Sequence, residues 1–291
     1  MAVVLITGSS SGFGLEGALA FARNGDTVYA TMRDVARGGR LQQAADEEGL
    51  SLRIRALDVT QPQSFDAFIK AVVEESGGID VLVNNAGIVR PGALEDLSEP
   101  ALRLVMETNF FGPLLLTRSL LPYMRARRSG FIIMMSSLSG LAGLPGDLPY
   151  AASKFALEGA TEALRHEVDR WGIRLALVEA GMYATAIFDS SMVGEALLPS
   201  DYPPDSPYRP LVASRLREVH DRRSQAFHPR IVGELFVTIA QADGKQFRWP
   251  ADEVATRVLG TMLGQDDASR DQFLRMVAGA DWWSEGKNHA D

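Results

Sequence analysis

Tyr150 and Lys154 stand four apart in Tyr150-Ala151-Ala152-Ser153-Lys154, where an apolar-patterned stretch predicts a helix. One helical turn separates them, so both side chains leave the same face. A phenol titrates near about 10 and is a poor proton carrier at neutrality. A neighbouring ammonium favours the phenolate and draws that value down. The pair is therefore a candidate acid/base unit. Tyr-x-x-x-Lys also arises by chance as a surface pair, so its weight depends on its surroundings. Ser136, Ser137 and Ser139 follow an apolar run at 131–135. They are either donors to a reacting oxygen or turn formers.

A second constellation lies at the other end of the chain. Thr7-Gly8-Ser9-Ser10-Ser11-Gly12-Phe13-Gly14 joins the first apolar run to the first helical pattern. Glycines there let the backbone approach a dinucleotide pyrophosphate, and the helix N-terminus offers free N–H groups. The second run ends Ala30-Thr31-Met32-Arg33-Asp34. An acid at that strand end would bind the ribose 2′-OH of NAD. Met32 stands in its place and Arg33 follows, a guanidinium suited to a 2′-phosphate. Ser11 adds a hydroxyl. The pattern favours NADP(H) over NAD(H), although Asp34 could pair with Arg33 and weaken the argument.

These groups need a scaffold. Short runs of Val, Ile, Leu and Met at 3–6, 27–32, 52–57, 79–83, 131–135, 173–178 and 273–277 read as strands covered on both faces. Helical patterns lie between them near 14–24, 37–48, 62–76, 100–127 and 150–170, with another at 251–263. Such alternation predicts a doubly wound α/β fold of Rossmann type, with a seven-stranded parallel sheet and helices on both faces. From 185 to 250 the rhythm breaks: a Pro-rich loop at 200–207, a charged helix at 211–227 and an apolar helix at 231–241. The reading is one domain, 1–291, carrying 185–250 as a substrate-binding lid over the sheet's carboxyl edge. The lid supplies Ile187, Phe188, Met192, Leu197, Leu198 and Tyr202, which either face a fairly hydrophobic substrate or equally fill a core.

Composition narrows the function. The 291 residues are 46% hydrophobic and 23% charged, with a net charge of −8. An acidic chain argues against nucleic acid and against anionic membrane surfaces as partners. Cysteine is absent, which removes disulfides, thiolate nucleophiles and cysteine-ligated metals. His166, His220, His228 and His289 lack close metal-ligand spacing, so no metal is expected. No apolar run reaches a membrane span, and the first run lacks the flanks of a signal peptide. A cytoplasmic protein is the expectation.

Taken together, the chain resembles the short-chain dehydrogenase/reductase family. The likeness covers about residues 2–185, with a looser continuation. Thr7-Gly8-x-x-x-Gly12-x-Gly14 matches that family's cofactor turn, and Asp58-Val59 resembles its adenine contact. Asn84-Asn85-Ala86-Gly87 matches the motif after the fourth strand, beside the cofactor. Asn109 in Met106-Glu107-Thr108-Asn109 sits where the family keeps a catalytic asparagine, and Ser137 lies 13 before Tyr150, the spacing of its catalytic serine. The segments at 28–34 and 150–159 are similar to the 17β-hydroxysteroid and retinol dehydrogenase branch. One departure stands out: Glu179-Ala180-Gly181 has Ala180 where the family has proline, while Gly181 and Thr185 keep their places near the nicotinamide.

The resemblance implies an NADP(H)-dependent oxidoreductase interconverting a secondary alcohol and a ketone. Tyr150 would exchange the proton, Lys154 would lower the Tyr150 pKa and bind the nicotinamide ribose, and Ser137 would donate to the substrate oxygen. Asn109 would hold a water linking Lys154 to solvent. Gly8, Ser11, Gly12, Phe13, Gly14, Arg33, Asp58, Val59, Asn85, Ala86, Gly87, Tyr150, Lys154, Gly181 and Thr185 would line the cofactor site. Asn84 and Asn85 are equally open to a structural reading. The family implies a homodimer or homotetramer, pairing the helices at 100–127 and 150–170. Trp282 and Trp283 are read as simple packing, ahead of a subunit contact or pocket closure. The competing class is an idle dinucleotide-binding redox sensor or scaffold, which filled catalytic positions speak against.

Overall fold

A computed structural model of the chain describes residues 1–188, 198, 202–222, 225–279, 281–284 and 287. Seven parallel strands form one sheet: β1 Val3–Thr7, β2 Thr27–Met32, β3 Arg53–Ala56, β4 Val81–Asn84, β5 Gly130–Met135, β6 Ile173–Glu179 and β7 Arg248–Pro250. Their order is β3-β2-β1-β4-β5-β6-β7. The chain leaves β1 toward β2 on one side and later returns to place β4 on the other. A crevice therefore opens at the carboxyl ends of β1 and β4, the switch point where α/β sheets bind ligands.

The strands are apolar throughout because successive side chains serve opposite layers. Val4 and Ile6 face a cluster with Leu19, Phe21, Val232 and Phe236. Leu5 faces another with Phe65, Ile69, Leu116 and Leu157. The first layer holds α1 Gly12–Arg23, α2 Gly39–Glu47 and α8 Arg230–Gln241; the second holds α3 Phe65–Ser76, α5 Gly112–Arg127 and α6 Leu148–Val168. Between α4 Glu99–Met106 and α5, residues Glu107–Phe111 form a single π-helical turn. The uninterrupted helix expected over 100–127 is thus divided at Asn109, a placement common for functional turns.

Two expectations are corrected here. The seventh strand is β7, while 273–277 lies in α10 Asp267–Ala278. Phe273 and Leu274 pack beside Met262 of α9 Glu253–Gly264, not in the sheet. Residues 230–250, assigned by sequence to the lid, belong to the sheet's own layers. Val232, Phe236 and Ile239 are fully buried against α1, and β7 pairs with β6. The apolar pattern of α8 marks a covering helix, which on local pattern alone looks the same as a lid helix.

The remaining part of the insertion carries α7 Arg209–Arg222. Tyr202 and Leu198 are buried with Val212, Leu216 and Ala93 in a satellite cluster, so these two fill the insertion's own core. Tyr202 Oη and Ser206 Oγ both bond Asp96, and Tyr208 Oη bonds Glu95 at 3.0 Å, which ties the insertion to the loop after β4. Trp283, in α11 Asp281–Ser284, lies 6.3 Å from the Tyr208 ring and 5.6 Å from Trp282. Met192 and Leu197 lie outside the described residues. Among the described residues, no helix is long and apolar enough to cross a membrane.

Candidate active site

Position begins with Thr7 at the tip of β1. Its Oγ1 accepts the N–H groups of Asn85 and Ala86, each at 3.0 Å, and so locks the turn after β4 against β1. Asn85 Nδ2 returns bonds to the carbonyls of Thr7 at 2.9 Å and Gly8 at 3.2 Å. The glycines follow from this closeness. Gly8 has φ +71°, and a Cβ there would stand 2.7 Å from Ala86 Cα. A Cβ on Gly14 would drive into the Gly8 carbonyl and stand 2.5 Å from Asn85 Nδ2. Asn85 is thereby a clamp on the turn. Asn84 is structural as well: it is buried and donates to Thr117 Oγ1 of α5 at 3.0 Å.

A cleft of about 690 Å³ runs along the carboxyl ends of the strands. Gly8, Ser11, Gly12, Phe13, Arg33, Asp58, Val59, Asn85, Ala86, Gly87, Tyr150, Lys154 and Thr185 all line it. Gly14 and Gly181 are not among the lining residues: Gly14 packs α1 onto the turn after β1, and a Cβ on Gly181 would lie 3.3 Å from Leu138. Thr185 closes over the glycine turn, its Cγ2 3.2 Å from where a Gly12 Cβ would be. Tyr183 braces that loop, with its ring edge-on to Phe13 at 5.1 Å and its hydroxyl on Asp252 at 2.9 Å. The loop without its proline is held by these contacts.

At the far end of the cleft, Arg33 is joined by Arg37, a second guanidinium that sequence reasoning passed over as a plain helix residue. Asp34 spends an oxygen on Ala36 N–H at 3.0 Å, capping the turn that presents Arg37. Asp58 is occupied by Thr60, through its amide at 2.9 Å and its hydroxyl at 2.8 Å. An open glycine turn at a helix N-terminus, with two guanidiniums along the same cleft, can receive the phosphates of a dinucleotide.

The catalytic candidates gather at the opposite end. Tyr150 and Lys154 occupy the first two turns of α6, and the ammonium lies 5.6 Å from the phenol ring centroid. Lys154 is 3% exposed and Nζ donates to the Met135 carbonyl at 2.7 Å. Burial pulls its pKa down to about 8, opposed by the Glu158 carboxylate. Enclosure pushes the Tyr150 phenol well above its ordinary value, and the Asp147 carboxylate adds to that; the Ser137 hydroxyl is the group that draws it down. The expected lowering by Lys154 is therefore not what this geometry produces, because the amine is turned to Met135 and is itself desolvated.

Ser137 caps the turn at 138–140, accepting Ser139 N–H at 3.1 Å, with the Ala180 carbonyl 3.5 Å from its own Oγ. Ser136, one residue earlier, lines the cleft with its hydroxyl buried and no partner but Glu158. Asn109 is 1% exposed. Its amide accepts Ile88 N–H at 2.9 Å and donates to the Ile88 carbonyl at 2.9 Å and to Ser153 Oγ at 3.0 Å. Both of its amide hydrogens are committed, so a water relay from Lys154 would use the remaining Oδ1 lone pair or backbone atoms of the π-turn. Sequence reasoning also missed Asp147. Its carboxyl accepts Ser139 Oγ at 3.1 Å, and burial pushes it up to about 7.

Comparison with known proteins places this arrangement among relatives. Residues 2–195 match the family described as short chain dehydrogenase. An uncharacterized oxidoreductase, YusZ, from Bacillus subtilis (strain 168) is 39% identical over 251 residues, covering 85% of this chain and 88% of that one. Retinol dehydrogenase 8 from Bos taurus is 38% identical over 245 residues, covering 81% and 77%. 17-beta-hydroxysteroid dehydrogenase type 1 from Mus musculus is 38% identical over 255 residues, covering 85% and 72%. Among solved structures, a short-chain dehydrogenase from Streptomyces avermitilis superposes with a TM-score of 0.76 at 30% identity, covering 98% of each chain.

Proposed function

The chain belongs to the short-chain dehydrogenase family, in the branch with the retinol and 17β-hydroxysteroid dehydrogenases, and on that premise we propose that it is an NADP(H)-dependent oxidoreductase interconverting a hydrophobic secondary alcohol and its ketone. One observation carries the reading: Tyr150 and Lys154 line one end of a cleft whose middle is the glycine turn, and the Ser137 hydroxyl bonds Tyr150 beside them. Gly8, Ser11, Gly12, Phe13, Ala86, Gly87 and Thr185 would hold the dinucleotide, and Arg33 with Arg37 would hold its 2′-phosphate. When bound, the nicotinamide supplies or takes the hydride.

The protein's part is a proton and an electrostatic field. Tyr150 Oη carries the proton that the substrate oxygen gains on reduction or loses on oxidation. At neutral pH the enclosed phenol is held protonated, the donating form, which suits ketone reduction. Ser137 Oγ stabilises charge on Tyr150 Oη and on a substrate oxygen beside it. Lys154 Nζ is a buried cation one turn away, ready to compensate the phenolate left behind. Asn109 fixes Ile88 and Ser153 around that amine. Leu104, Phe111, Tyr123 and Phe155 expose apolar surface on the helices at 99–168, consistent with a homo-oligomer.

Turnover of NADPH with a panel of hydrophobic ketones tests the proposal. Tyr150→Phe is expected to cut kcat by about 100-fold or more while leaving NADPH binding, read by its fluorescence, within about threefold. Binding with no turnover on any ketone or alcohol by the unmodified protein would favour the redox-sensor reading instead.

A further inference from the structure

Behind the catalytic lysine lies a buried ionic cluster that the mechanism above does not use. Glu158 follows Lys154 by one turn of α6, so Tyr150, Lys154 and Glu158 lie along one face. Glu158 is 4% exposed and Glu179, near the end of β6, is fully buried. Arg248, the first residue of β7, donates to Glu158, reaches Glu179 at 3.2 Å, and touches the exposed Glu162 at 3.3 Å. Ser136 Oγ lies alongside Glu158, and a Cβ on Gly140 would stand 2.7 Å from that hydroxyl and 3.2 Å from Glu158 Oε1. Glu179 Oε2 is buried without a hydrogen-bond partner, and Ser136 Oγ and Glu158 Oε1 have no partner but each other. Natural proteins rarely leave such atoms unpaired without a use.

The charges explain the arrangement. Lys154 makes its bond to a neutral carbonyl, Met135 O. The groups around it are the Tyr150 phenol on its own helix, Asn109 of the π-turn and Gly87 across the cleft; none carries negative charge at neutrality. An ammonium buried there needs an anion nearby, or it sheds its proton. Glu158 is that anion: burial raises its pKa, while the Ser136 hydroxyl, the Arg248 guanidinium and Lys154 itself draw it down.

We propose that Glu158, clamped by Arg248, is the positioning residue that keeps the catalytic Lys154 ammonium charged. Glu158 acts through Lys154 and touches no substrate. Glu179 shares the Arg248 guanidinium from behind, at 3.2 Å. The inference rests on reading Lys154 as the charge partner of Tyr150. Tyr150→Phe tests that reading through turnover, whereas the charge on Lys154 is measured without turnover.

Lys70, Lys154, Lys245 and Lys287 are the chain's only lysines. Protein isotope-labelled at lysine Cε therefore reports the Lys154 titration by NMR, assigned with Lys154→Arg. Glu158→Gln is expected to lower the Lys154 midpoint, from its starting point near 8, by about one pH unit, a tenfold change in proton affinity. The alkaline limb of kcat against pH moves down with it, and Glu158→Asp restores most of both. A folded Glu158→Gln protein with an unchanged midpoint overturns the proposal, as does a loss of kcat equal at every pH. Should Glu158→Gln fail to fold, Glu179→Gln separates the two acids: the Lys154 midpoint stays within about 0.3 pH unit if Glu158 is the anion that holds it, and a fall of about a full unit overturns the proposal.

Discussion

At the scale of single residues, the proposed preference for NADP(H) turns on two guanidiniums. Arg33 and Arg37 line the same end of the cleft, and Asp34 is committed to Ala36 N–H. Each charge-assisted bond to a phosphate oxygen contributes about 1.5–3 kcal/mol. Arg33→Ala should therefore weaken NADPH binding by roughly 10- to 100-fold, leave NADH within about twofold, and lose further NADPH affinity when combined with Arg37→Ala. Titrations of nicotinamide fluorescence decide this, and equal losses for both coenzymes would count against a 2′-phosphate site. Arg33 was legible in the sequence because it closes a strand at a known register. Arg37 was not, since only the turn capped by Asp34 swings it back over the cleft. The electrostatics of Tyr150 were illegible for another reason. Spacing fixes which residues share a helical face, whereas a pKa depends on what encloses that face and on where Lys154 Nζ finds its acceptor.

At the scale of elements, close backbone contacts make two glycines act differently. Gly14 seats α1 on the turn after β1, and Gly233 seats α8 on α1, where a Cβ would stand 2.6 Å from the Glu16 carbonyl carbon. Overpacking of this kind costs about 1–3 kcal/mol. Both Gly14→Ala and Gly233→Ala should lower the melting temperature by several degrees. The first should also weaken NADPH binding by about tenfold or more, because it displaces Gly8 and Asn85; the second should leave it unchanged. Calorimetry with and without NADPH separates them, and an intact coenzyme affinity in Gly14→Ala would contradict the assigned role of the turn. The same contacts explain which elements could be read from sequence. Strands β1, β2, β4, β5 and β6 are buried on both faces and announce themselves as apolar runs. Strand β7, Arg248-Trp249-Pro250, pairs on one side only, so nothing demands such a run, and 273–277 imitated it while coiling as a helix. The ion pair of Arg248 with Glu158 joins residues 90 apart, a pairing no local pattern encodes.

At the scale of the whole molecule, buried ionisable groups set how stability follows pH. Asp147 and Glu179 are both pushed up to about 7 by burial, from ordinary carboxylate values near about 4. The folded chain thus holds protons that the unfolded chain has released, so stability from these two groups is complete below pH of about 4 and declines as pH rises to about 7. Lys154, drawn down to about 8, has the opposite sense: it sheds its proton earlier when folded, so stability rises from about pH 8 toward the ordinary lysine value. The sum has a trough between the two windows, at the pH where the proposed mechanism needs Tyr150 protonated and Lys154 charged. The burial of these groups therefore lowers the stability of the fold around neutrality. Thermal unfolding at constant ionic strength reads the shape directly. The double variant Asp147→Asn, Glu179→Gln should match the parent near pH 4, exceed it at pH 7, and keep that advantage at pH 8. Melting curves that run parallel from pH 4 to 8 would show that neither carboxyl is shifted and would remove the electrostatic account of the trough.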